Sequence, residues 1–81
     1  MHEKTLSELN RTNTRMVALS HFLRELRINS GYTQVQVAKE IKLSRNSISK
    51  IERMGFFRIQ HLYLLADFYE IPINELFMDI K

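Results

Sequence analysis

The chain has 81 residues, a net charge of +3, 44% hydrophobic side chains and no cysteine. At this length one domain forms and buries only about 60% of the surface of the unfolded chain, with no disulfide or thiolate metal site to supplement its modest core. No apolar run approaches the ~20 residues of a membrane span and the polar start has no signal-peptide apolar region, so the expectation is a cytoplasmic protein without a membrane partner.

Charge is unevenly distributed. Residues 39–58 carry Lys39, Lys42, Arg45, Lys50, Arg53 and Arg58 against Glu40 and Glu52, a local balance of +4. Residues 59–81 carry Asp67, Glu70, Glu75 and Asp79 against Lys81, a balance of −3. A polyanion is drawn to the middle of such a chain and repelled by its end, although a solvated helical surface produces the same pattern.

In chain order, residues 1–15 are polar, with Leu6 and Leu9 as their only apolar anchors. Thr5 and Glu8 have capping-box spacing, which leaves a mobile arm and a short helix both open. From Met16 the pattern is helical: Met16, Leu19, Leu23 and Leu26 recur at three- and four-residue spacing beside Phe22, and Gly31 supplies the stop. Thr33 is an N-cap that Gln36 completes as a capping box, and the helix it opens buries Val37, Ala38 and Ile41.

Ser44 caps a third helix with Ile48 and Ile51 on its apolar face, Ser47, Ser49 and Lys50 turned elsewhere, and Gly55 at its end. A fourth helix runs from about Ile59 to Tyr69 with Leu62, Leu65, Ala66 and Tyr69 on one side. Pro72 suits the first position of a fifth helix through Leu76 and Phe77, where its missing N–H is not needed. No strand alternation outlasts a few residues, so the fold class is all-α: five short helices over residues 16–81, preceded by the 1–15 arm.

The stretch Thr33–Glu52 is two short helices joined by a tight turn, the second with a basic, polar face suited to the major groove. With Leu26-Arg27 and Gly31-Tyr32-Thr33-Gln34 before it, Val37-Ala38, Leu43-Ser44 and Ile48-Ser49-Lys50-Ile51-Glu52-Arg53 within it, and Leu62, Leu65-Ala66 and Ile71-Pro72-Ile73-Asn74-Glu75-Leu76 after it, the chain resembles the Cro/C1-type helix-turn-helix family of phage and bacterial repressors. The resemblance covers about residues 19–77 and implies a compact lambda-repressor-like domain that binds double-stranded DNA.

It also implies roles. Gln34 contacts a phosphate and braces the recognition helix, while Arg45, Asn46, Ser49 and Lys50 reach base edges. Arg and Lys suit guanine O6 and N7, and Asn suits adenine N6 and N7. Ser47, Arg53 and Arg58 remain for phosphates. Arg27 and Glu52 become a largely buried salt bridge between the first and third helices, which keeps both off the DNA-binding set.

Three departures from the family pattern stand out. Lys42 occupies the turn position usually held by Gly, at a cost on the order of 1 kcal/mol if the backbone is left-handed. The loop Met54-Gly55-Phe56-Phe57-Arg58 is shorter than usual and apolar, with Phe56 and Phe57 open to the core, a dimer contact or a wedge near DNA. The arm has no counterpart, and Arg11 and Arg15 follow a minor groove or belong to a solvated tail.

Other chemistry finds little support. His2, His21 and His61 have no metal-ligand spacing, and His21 reads as a surface residue. The pairs Asp67/Glu70 and Glu75/Asp79 read as solvated faces, and Tyr63, Phe68, Tyr69 and Phe77 as core or dimer face. No Gly-rich phosphate loop or nucleophile triad is present, so neither an enzyme nor a cofactor is expected. The expectation is a homodimeric transcriptional repressor or autoregulator reading a near-palindrome. Its rival is an antitoxin or co-regulator that meets a protein partner through the Phe56-Phe57 loop and the Leu6/Leu9 arm.

Overall fold

The computed structural model describes residues 6–55 and 58–78, and all of the secondary structure among them is helical. Helix α1 spans Leu6–Asn29, α2 Gln34–Ile41, α3 Arg45–Met54 and α4 Ile59–Phe68, followed by one helical turn, α5, at Glu75–Met78. The Thr5–Glu8 cap, the Phe56-Phe57 loop and the side chains of Leu6, Leu9, Arg11 and Phe77 lie outside the described residues.

Residues 6–15 join 16–29 in one continuous helix. No Gly or Pro interrupts residues 6–29, so nothing local stops the backbone. Met16 marks the place where the helix acquires an apolar face rather than the place where it starts.

Helix ends follow the residues at them. Thr33 accepts from the Gln36 N–H at 3.1 Å and donates its own N–H to Gln36 Oε1 at 2.8 Å, the reciprocal bonds of a capping box. Ser44 Oγ accepts from the Ser47 N–H at 3.1 Å to open α3.

Three helices close with paired backbone bonds that reach back five and three residues, the Schellman arrangement. After α1 these run from Tyr32 to Arg27 and from Gly31 to Ile28; after α2, from Leu43 to Ala38 and from Lys42 to Lys39; after α4, from Ile71 to Ala66 and from Glu70 to Asp67. Each needs one left-handed residue. Gly31 fills that place at φ 81°, but Lys42 (60°) and Glu70 (57°) adopt it with a Cβ.

The end of the chain differs from the expected fifth helix. The Glu75 N–H donates to Pro72 O at 2.9 Å and the Leu76 N–H to Ile73 O at 3.1 Å. These tight three-residue turns move the helical start three positions beyond Pro72.

The core draws Leu19 and Leu23 from α1, Val37, Ala38 and Ile41 from α2, Ile48 and Ile51 from α3, Leu62, Leu65 and Ala66 from α4, and Leu76 from the last turn. Each fully buried Leu, Ile or Val side chain contributes roughly 1.5–3 kcal/mol. Helix α3 packs on both α1 and α2, so the core holds its apolar side and leaves the opposite side to solvent. At its far end Gly55 is buried, and a Cβ there would lie 3.2 Å from Met16 Cβ.

Candidate nucleic-acid interface

Turned at about 100° per residue, α3 carries Arg45, Asn46, Ser49, Lys50 and Arg53 on one arc of about 140°. Ile48 and Ile51, opposite, are buried. Arg45, Asn46, Lys50 and Arg53 are exposed and Ser49 is half-buried. Ser47 falls off this arc, half-buried, with its hydroxyl 3.0 Å from that of Ser44. Arg58 is exposed on a different element, at the start of α4, where its carbonyl accepts from the His61 and Leu62 N–H groups.

Behind the arc lies a polar brace. Arg27 Nε donates to Glu52 Oε2 at 2.9 Å and Oε1 at 3.0 Å, and Arg27 Nη1 donates to the Tyr32 carbonyl at 2.9 Å. Gln34 Nε2 completes the set by donating to Glu52 Oε1 at 3.3 Å. One carboxylate thus ties the end of α1 and the first turn of α2 to the last turn of α3. The ion-pair side chains are only 12% and 6% exposed, as the resemblance implies.

An aromatic cluster lies close enough to the brace for Tyr69 to feel both its charges. Tyr32 and Phe68 meet edge to face at 5.0 Å, as do Phe68 and Tyr69. Burial, reinforced by the Glu52 charge, pushes the Tyr69 hydroxyl up to about 12; Arg27 opposes this. Phe68 and Tyr69 are half-buried and pack against the core, whereas Tyr63 is exposed.

An open groove of about 340 Å³ runs beside the arc, lined by His21, Arg24, Gln34, Ser49, Glu52 and Arg53. The structure therefore brings Gln34, Ser49 and Arg53 to one place, together with two α1 residues that sequence reasoning did not select. The available signal was spacing: Arg24 precedes Arg27 by three residues, one helical turn. Among the described residues no group of three or more His, Cys or acidic side chains could hold a metal ion. No helix among them is long and apolar enough to cross a membrane.

A helix-turn-helix family model matches residues 23–76, two thirds of the chain, spanning the brace, the turn and α3. The chain belongs to the Cro/C1-type helix-turn-helix family. Members are DNA-binding transcriptional regulators rather than enzymes. No curated protein and no solved structure matches the chain significantly. In this Cro/C1-type domain the Lys42–Ser44 turn joins α2 to α3 and is closed by its left-handed lysine.

Proposed function

We propose that the protein is a sequence-specific reader of double-stranded DNA, a small homodimeric repressor or autoregulator acting in the cytoplasm. One observation carries this reading: α3 is fixed from behind through Glu52 while its exposed arc presents Arg45, Asn46, Ser49 and Lys50. Arg45 and Lys50 donate to guanine edges, Asn46 pairs with adenine, and Ser49 adds a shorter contact. Gln34, Ser47, Arg53 and Arg58 meet phosphates and set the register. The functional unit is the five-helix, lambda-repressor-like domain of residues 16–81, with residues 1–15 as its N-terminal extension. Two copies place their α3 helices in successive major grooves about 34 Å apart.

Selection of bound sequences from a random duplex pool at physiological salt tests this directly. A near-palindrome with half-sites one helical turn apart is expected. Arg45→Ala and Asn46→Ala should each cost about 1–3 kcal/mol of discrimination at one base position. Wild-type affinity in both variants would sink the recognition-helix assignment.

A second reading, an antitoxin or co-regulator that meets a protein partner, is favoured by the apolar surface of α4, where Ile59 and Tyr63 are 54% and 53% exposed. Salt separates the two. Binding through several phosphates weakens steeply as salt rises, whereas an apolar protein contact does not.

A further inference from the structure

We propose that Arg24, assisted by His21 one turn before it on α1, holds a backbone phosphate of the bound duplex and so extends the DNA footprint from α3 onto the first helix. This rests on the DNA-binding reading above.

The groove beside α3 supplies the place. Its walls come from three helices: His21 and Arg24 from α1, Gln34 from α2, and Ser49, Glu52 and Arg53 from α3. Ser49 and Arg53 belong both to this groove and to the exposed arc, so whatever occupies the groove is continuous with whatever α3 touches. A helix seated in the major groove has phosphate backbones along its flanks, and roughly half to two-thirds of protein–DNA hydrogen bonds go to phosphate and sugar.

The sign of the site follows from its one acid. Glu52 is 8% exposed, and both its carboxylate oxygens accept from Arg27, one of them also from Gln34. Its charge is already matched by the Arg27 guanidinium. Arg24 and His21 are exposed; His21 has Glu25 four residues after it on α1, whereas Arg24 has no acid at helical spacing. The positions three and four residues from Arg24 are Ser20, His21, Arg27 and Ile28, so no helical ion pair draws its guanidinium aside. A guanidinium also presents the fork of donors that matches two phosphate oxygens at once. Arg24 lies on α1, off the recognition helix, which assigns it backbone rather than base edges.

The test is a salt titration of DNA binding by wild type, Arg24→Ala and Arg24→Lys, on the selected operator and on an unrelated duplex. Circular dichroism confirms that each exposed-site variant is folded. Arg24→Ala should weaken both duplexes alike, leave their affinity ratio unchanged and flatten the slope of log K against log salt by about 0.9. Between about 50 and about 200 mM salt the wild type should then lose about threefold more affinity than the variant. Arg24→Lys, which keeps the charge, should retain the wild-type slope. An unchanged slope and affinity in Arg24→Ala overturns the assignment, as does a loss confined to the operator, which would mark a base contact. A wild-type chain that binds neither duplex overturns the DNA reading itself, separately from the role of Arg24 within it.

Discussion

Ser20 Oγ donates a 2.7 Å hydrogen bond to the carbonyl oxygen of Ile51, joining the buried side of α1 to the last turn of α3. That carbonyl is one of the four at a helix C-terminus with no partner inside the helix. Ser20 is 2% exposed, so water does not replace the hydroxyl if it is removed. Ser20→Ala is expected to cost about 1–3 kcal/mol by stranding a buried acceptor. Urea unfolding would read this as a lower midpoint at constant slope; an unchanged midpoint would show that the bond contributes nothing net.

The Arg27–Glu52 pair predicts non-additivity. Arg27→Ala leaves a mostly buried carboxylate without its cation, still hydrogen-bonded by the Gln34 amide, and should cost about 3–5 kcal/mol. That is a large share of the roughly 5–15 kcal/mol stability of an ordinary domain. Removing Glu52 as well takes away the stranded charge, so the double variant should be less destabilised than the sum of the two singles. Additive losses in a double-mutant cycle would contradict the pairing.

The left-handed positions separate strain from crowding. At Gly31 a Cβ meets nothing within 4 Å, so Gly31→Ala should cost only the backbone term of roughly 1–2 kcal/mol. At Gly55 the same term is joined by a Met16 Cβ at 3.2 Å and its carbonyl oxygen at 3.3 Å, so Gly55→Ala should cost clearly more. Lys42→Gly should raise stability by at most about 1 kcal/mol, since relief of the left-handed strain is offset by added freedom in the unfolded chain. Thermal midpoints would rank them, with about 4–8 °C per kcal/mol in a domain of this size. Equal losses at the two glycines would remove the crowding argument.

Tyr69 predicts an alkaline limit. Its hydroxyl ionises near 10 in the unfolded chain and at about 12 in the folded one. The folded state therefore holds the proton more tightly between those values, and stability falls as pH rises through that window. Below pH 10 the contribution is fully present. In Tyr69→Phe this part of the alkaline decline should disappear, as followed by melting curves from pH 9 to about 12. A decline of the same size in the variant would assign it to other groups.

The sequence was most informative where the cause is local. Thr33 with Gln36, Ser44, Gly31 and Gly55 act on backbone groups within a few residues, and their roles follow from residue type and spacing. The Arg27–Glu52 bridge spans 25 residues and was legible only through family resemblance. Two features required the tertiary arrangement. Ser20 is a small polar residue inside an apolar stripe, and its partner is a backbone carbonyl 31 residues away, which no periodicity encodes. Arg24 and His21 look like solvated α1 residues until α1 is laid across α2 and α3. Conversely, Ser47 and Arg58 suit phosphates by type, but helix geometry moves the first off the arc and chain order puts the second on another element. The start of α1 was ambiguous because residues 6–15 are polar without containing a helix breaker.

Helix α3 is fastened at both extremities: by the Ser44 hydroxyl at its start, and by a left-handed glycine pressed against α1 at its finish. On the proposed reading, such a helix has its docking shape before it meets a duplex, so little ordering entropy remains to be lost on contact. Encounter is then governed by long-range attraction and by the angle of approach. Differences between cognate and foreign sites should emerge in how long the complex survives rather than in how quickly it forms.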